Sequence, residues 1–252
     1  MNIILPLLIS TIAGFSTVLG GLIVYLRIKR VEEFITLCLS FSLSVMISIS
    51  IIELIPDSSF QFIRFFGILK GTILAVIIFL IGVLSVNIIN NFIKKYDKST
   101  TSSNNLYRVG ILSMIALLLH NFPEGIATFM SSYKDLTLGI SLGVAIMMHN
   151  IPEGISISVP IYYSTGSKKK GVVYSLISGI AEPIGALLTY LLFKNYITDL
   201  SLAIVLLLVA GIMITLSINE LLPEVLKYKK ERYIILGLII GNILVIVNHF
   251  IL

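Results

Sequence analysis

Tryptophan is missing from the 252 residues, cysteine occurs once, as Cys38, and histidine only three times. One thiol excludes a disulfide framework or a cysteine-based metal cluster within the chain. Charge is scarce as well. Asp, Glu, Lys and Arg make up 12% of the residues, against about 25% in soluble domains. Hydrophobic residues make up 57%, and the mean hydropathy is +1.03. A water-soluble fold of this composition would expose large apolar patches, so the chain reads as an integral membrane protein. No run alternates apolar and polar residues between turns, which excludes a β-barrel and leaves helices to satisfy the backbone in lipid. A G-x-x-x-x-G-K-[ST] phosphate loop is absent, and no interval has room for a nucleotide domain. No nucleotide partner is expected. A pI near 9.2 would suggest nucleic acid in a soluble protein, but here the basic residues have another use.

What the chain does contain is eight apolar runs long enough to cross about 30 Å of hydrocarbon. They fall at about Ile3–Leu26, Phe34–Ile55, Gly71–Ile93, Val109–Ser131, Thr137–Tyr163, Gly171–Phe193, Leu200–Leu222 and Tyr233–Leu252. The longest interval, about 94–108, is polar and reads as a flexible cytoplasmic loop. The whole of 1–252 is therefore expected to be one transmembrane domain. Of the eighteen Lys and Arg residues, fourteen lie in the loops after spans one, three, five and seven, and four in the loops between. The positive-inside rule makes the first set cytoplasmic and places both termini outside. The first run has no basic segment before it and ends in "RIKR", so it reads as an uncleaved span rather than a signal peptide. The expected location is the cell membrane, with the lipid bilayer as solvent.

Polar residues break these runs in a pattern. "HNFPEG" begins at His120 in the fourth span and "HNIPEG" at His149 in the fifth, twenty-nine residues later. A third glutamate, Glu182, enters from the sixth span in "GIAEPIG". Glu124, Glu153 and Glu182 then lie near the bilayer midplane, where one charge costs roughly 2.5–3.5 kcal/mol. Three unpaired carboxylates would cost about 10 kcal/mol, as much as the whole stability of many proteins. No Lys or Arg sits at that depth, so protons, water or a cation must make them tolerable. His and Glu at i and i+4 share one helix face, and Asn121 and Asn150 lie about 100° round. Imidazole with carboxylate and amide suits Zn²⁺, Fe²⁺, Mn²⁺ or Co²⁺, and the lack of thiolate disfavours Cu(I). The ligand atoms suffice for one ion or for two. Pro123 and Pro152 are expected to free the carbonyls of Leu119 and Met148.

A second echo lies further out. "ISIIELIPD", carrying Glu53, resembles "LSINELLPE", carrying Glu220. Their spans run in opposite directions, so Glu53 belongs near the outer mouth and Glu220 near the inner one. This predicts an all-α polytopic protein whose eight transmembrane helices form a 3+2+3 inverted repeat. Transporters place substrate at the midplane of such an interface. Ser48, spaced by four from Ser44 and Ser40, is a candidate for the path wall, or else bonds its own helix backbone. His249, near the end of the eighth span, is left outside the site. Gly237 and Gly241 permit helix association, and hence a homodimer.

At these motifs the chain resembles the ZIP family of divalent-metal transporters, most closely its bacterial ZupT-like branch. The resemblance rests on "HNFPEGIATF", "HNIPEGI", "SGIAEPIGALL" and "ELLPE" and extends over the full length. It implies secondary transport of zinc, with iron, manganese or cobalt as alternatives, into the cytoplasm. The metal is cargo and no cofactor is expected. Carried over residue by residue, the family's ligands fall on His120, Asn121, Glu124, His149, Asn150, Glu153 and Glu182, with Glu124 and Glu153 bridging two ions. The His-rich loop that many relatives carry between spans three and four has no counterpart here. The alternative is an intramembrane zinc-dependent hydrolase using the same cluster. Against it, H-E-x-x-H is absent, and the Asn after each His cannot act as a general base.

Overall fold

The structure, a computed structural model, describes residues 3–26, 28–96 and 105–251. Among them there are eight helices long and apolar enough to cross a membrane, and no strand. They are α1 (Ile4–Tyr25), α2 (Val31–Phe66), α3 (Ile68–Tyr96), α4 (Asn105–Lys134), α5 (Leu136–Thr165), α6 (Lys168–Tyr196), α7 (Asp199–Lys227) and α8 (Glu231–Ile251). Several run beyond the lengths expected from hydropathy, because the chain spends few residues on turns. Gly67, at φ +78°, alone joins α2 to α3. Asp135 ends α4 and caps α5, its carboxylate accepting the Thr137 and Leu138 N–H groups at 2.8 and 3.2 Å. Helix also takes over both ends of the loop expected at 94–108. Its centre, 97–104, lies outside the described residues.

Two groups of helices result. α1, α4, α5 and α6 pack on one another, as do α2, α3 and α7, while α8 packs on α2; α5 meets α2 and α4 meets α7. Burial grades accordingly: 67% of the apolar window of α2 and α5 is buried, against 22% for α3 and α8. The outward faces of α3 and α8 carry rows such as Ile73, Ile77, Leu80 and Leu84, or Ile235, Ile239, Ile243 and Ile246. Lipid is the environment that tolerates them.

Small residues set the spacing. A β-carbon added at Gly14 would meet the Gly179 carbonyl, and one added at Gly179 the Gly14 carbonyl, so α1 and α6 cross with backbones touching. Gly20 and Gly154 fit α1 against the backbone of α5, and Gly185 and Gly125 fit α6 against that of α4. Gly82 and Gly211 do the same for α3 and α7. Gly237 and Gly241, the expected dimer contact, close instead onto Leu37, Phe41 and Ser44 of α2, so they are used within the chain.

Pro123 and Pro152 cannot donate to the carbonyls of Leu119 and Met148, yet they do not interrupt their helices, α4 and α5. The interruption falls in α6, where Ile180 leaves the helix just before Glu182 and Pro183. Pro183 cannot donate to the Gly179 carbonyl, and the glycine contact brings Gly14 there. α2 and α7 each carry one π-helical turn, at Ser50–Leu54 and Ser217–Leu221. Pro56 and Pro223 follow within two residues, and the turn closes through Ile55 N–H to Ser50 O and Leu222 N–H to Ser217 O. The two echoed motifs therefore share an uncommon conformation that recurs at functional sites.

The ends of the bundle differ in charge. Lys230 pairs with Glu32 at 3.5 Å, and Lys168 lies over the Tyr25 and Tyr162 rings. The loops after α1, α5 and α7 thus share one end. Lys134 meets Asp199 at 2.7 Å at the other.

Candidate metal centre

The repeated hexapeptides sit on α4 and α5 and turn toward each other. Glu124 is the hub, its Oε1 lying 3.1 Å from His120 Nε2 and 3.2 Å from His149 Nε2. These three groups can offer ligand atoms all within 4.8 Å of one another. Glu153 joins from α5, with its Oε1 3.9 Å from His120 Nε2. Asn150 spans to α6 and α1, its Nδ2 donating to Glu182 Oε1 and, at 3.0 Å, to the Ala13 carbonyl. Asn121 Nδ2 donates to the Ser178 carbonyl and hydroxyl at 3.4 Å each. All seven residues expected at the site are buried, none more than 2% exposed.

The chemistry of this hollow is one-sided. His120 Nδ1 and Nε2, Asn121 Oδ1, Glu124 Oε2, His149 Nδ1, Asn150 Oδ1, both Glu153 oxygens and Glu182 Oε2 lack hydrogen-bond partners. Although His120 Nε2 is close to Glu124, their geometry is not that of a hydrogen bond. Leaving a buried polar group unmade costs about 1–3 kcal/mol, and more if it is charged. So many carboxylate, amide and imidazole atoms around one hub could hold a cation. Each amide is anchored through its N–H group, so the carbonyl oxygen remains for a ligand.

A cavity of about 160 Å³ leads from Glu153 past Met46, Leu117 and Leu216 to Glu220, Glu224 and Tyr228, at the end carrying the basic loops. There, burial and the neighbouring Glu224 carboxylate push the Tyr228 phenol up to about 12, so it stays neutral at physiological pH. Toward the other end the cluster is covered by Ala127, Met130, Leu142, Ile146, Ile49 and Met213 of the apolar core. The cavity on that side, lined by Asp57, Gln61, Lys134 and Asp199 among others, includes no residue of the cluster.

The remaining candidates divide. Glu220 lines the open cavity. Glu53 is buried beyond the apolar cover, with its Oε1 3.4 Å from His249 Nδ1. The histidine left out of the site thus faces the outer candidate, a contact between distant spans that spacing along the chain does not carry. Ser48 does not line the open cavity. Its hydroxyl donates to Asn242 at 2.7 Å, and Ser44 donates to the Leu238 carbonyl at 2.8 Å, so this serine face joins α2 to α8. The α2 residues lining the cavity are Ile35, Leu39 and Met46 instead. Ser48→Ala should accordingly leave metal uptake within about twofold of wild type while removing a hydrogen bond worth about 1 kcal/mol. Paired uptake and melting curves check both halves.

A family model described as ZIP Zinc transporter matches residues 95–249. Among curated proteins, the zinc transporter ZupT of Clostridium perfringens is 38% identical over 272 positions, covering 98% of this chain and 95% of that protein. ZupT of Chlorobium chlorochromatii is 37% identical, covering 98% and 97%. ZupT of Oceanobacillus iheyensis is 37% identical, covering 100% and 99%.

Proposed function

We propose, for a chain that belongs to the ZIP family of zinc transporters, that it carries divalent metal into the cytoplasm by alternating access. Zinc is the first candidate, on the names of the relatives, and the donor set also suits Fe²⁺, Mn²⁺ and Co²⁺. His120, Asn121, Glu124, His149, Asn150, Glu153 and Glu182 are the proposed ligands, with Glu124 placed to be shared between two ions. One observation carries the reading: three carboxylates and two imidazoles are sealed in the membrane with unpartnered atoms and no basic side chain of the sequence at their depth. Membership in a transporter family sets the hydrolase alternative aside, and the metal is cargo rather than a resident cofactor.

The chain is read as multi-pass in the cell membrane, with the basic loops cytoplasmic and both termini outside. In this frame the cavity from Glu153 to Glu220 is the exit, and the structure is inward-open. Glu53 with His249 then stands at the entrance, behind the apolar cover that must part in the outward-open state. The matched glycine contacts and π-turns support reading α1–α3 and α6–α8 as an inverted repeat around α4 and α5, with α1 answering to α6 and α2 to α7.

The test is uptake of radiolabelled Zn²⁺ into proteoliposomes holding the purified protein. Flux should saturate with Zn²⁺ and vanish in Glu153→Ala. Binding of Zn²⁺ by the wild type without transmembrane flux would overturn the transport reading.

A further inference from the structure

Thr17 in α1 departs from the behaviour of seven other threonines within the helices. Thr11, Thr36, Thr72, Thr128, Thr165, Thr189 and Thr215 each return the hydroxyl to the carbonyl four residues back, at 2.6–2.8 Å. In this way a threonine hides its polar atom in a membrane helix. Thr17 is completely buried, yet its Oγ1 has no partner. The carbonyl it would use, that of Ala13, already accepts from Ser16 Oγ at 2.6 Å and from Asn150 Nδ2 at 3.0 Å.

The helix contacts show what place Thr17 holds. A β-carbon on Gly179 would lie 3.1 Å from Thr17 Cβ, and one on Gly14 would lie 3.0 Å from Glu182 Cβ. Gly154 meets the Thr17 carbonyl, and Gly125 meets the Glu182 carbonyl. Gly20 meets the Ile151 carbonyl, and Gly185 meets that of Phe122. Asn150 donates to Ala13 O, four residues before Thr17, and Asn121 to Ser178 O, four residues before Glu182. These backbone contacts of Glu182 and its neighbours on α6 are thus repeated by Thr17 and its neighbours on α1, with α4 and α5 exchanged. Glu182 bonds Asn150. By the same correspondence the amide that answers to Asn150 for Thr17 is Asn121, whose Oδ1 is also buried without a partner.

We propose that the Thr17 hydroxyl is an oxygen ligand for the transported cation on the Asn121 side of the hollow, the uncharged counterpart of Glu182. This rests on the metal-transport reading above. A cation lying between these two unpartnered oxygens would satisfy both, and a hydroxyl supplies an oxygen without a further negative charge to hold the ion back. Oxygen-rich, higher-coordinate Mn²⁺ should depend on it more than Zn²⁺, which is content with four ligands including imidazole.

The experiment is equilibrium binding of Mn²⁺ and of Zn²⁺ to the purified full chain in detergent, with metal-free melting curves. Variants are Thr17→Val, Thr17→Ala and Thr17→Ser. Both hydroxyl-free variants should weaken Mn²⁺ about tenfold, the lower range for loss of a supporting metal contact, and Zn²⁺ distinctly less. The metal-free melting temperature should not fall, and Thr17→Ser should restore binding. Wild-type Mn²⁺ affinity in Thr17→Val or Thr17→Ala would overturn the proposal, as would a loss that Thr17→Ser does not restore. Failure of the wild type to bind either metal would overturn the transport reading itself and is distinguished by the unsubstituted protein.

Discussion

Glu124→Gln is expected to abolish metal uptake while leaving the folded protein intact. Glutamine fills the same space in the buried hollow but removes the negative charge and puts two N–H donors where a cation should sit. Glu124 Oε1 lies within 3.2 Å of the imidazole nitrogens of both histidines, whereas the next carboxylate, Glu153, comes no nearer than 3.9 Å to His120 Nε2. Removing even an outer partner of a metal ligand lowers affinity or activity about 10–100-fold, and the hub should cost at least the upper figure. The protein should still fold without metal, with a melting temperature that reflects the loss of a carboxylate from beside two imidazoles. Stabilisation of the wild type by added Zn²⁺ should disappear in the variant. Uptake above one tenth of wild type would show that Glu124 is not the shared ligand.

Gly125→Ala, one residue further on, should fail for another reason. Its β-carbon would strike the Glu182 carbonyl and lie 2.6 Å from the Glu182 Cα. Backbone atoms cannot swing aside, so α4 and α6 must separate. Overpacking of this kind costs about 1–3 kcal/mol, and the shift carries Glu182 away from Asn150. Yield and melting temperature should both fall, and the protein that survives should transport poorly. Gly143→Ala is the control, since the added carbon would meet the Ile9 Cγ2 methyl at 2.5 Å, the end of a side chain that can yield. Equal melting temperatures for the two variants would refute the close-packing account.

The legible part of this molecule follows from local chemistry. Hydrocarbon demands uninterrupted helices, so spans could be counted from apolar runs. Buried carboxylates are costly, so "HNFPEG" and "HNIPEG" stood out against their surroundings. The echo of "ISIIELIPD" in "LSINELLPE" marked two segments that adopt the same π-turn, although no spacing rule predicts the turn itself. Less legible were features that depend on which helix lies opposite. Ser40, Ser44 and Ser48 form one stripe in sequence, and nothing local says that this stripe faces α8. His249 looked isolated until Glu53 was found beside it. Thr17 is invisible as sequence, because a threonine among apolar residues normally bonds its own helix.

The amino-acid order by itself determined the eight crossings, the depth of the polar residues and the donor set, because each is a property of one helix in a low-dielectric slab. Only the tertiary structure decided that Glu124 is the hub, that the open cavity runs from Glu153 to Glu220, and that Gly237 and Gly241 are consumed inside the chain. Those outcomes depend on rotation and crossing of rigid helices. They are set by backbone contacts at glycines far apart in sequence, which no single segment encodes.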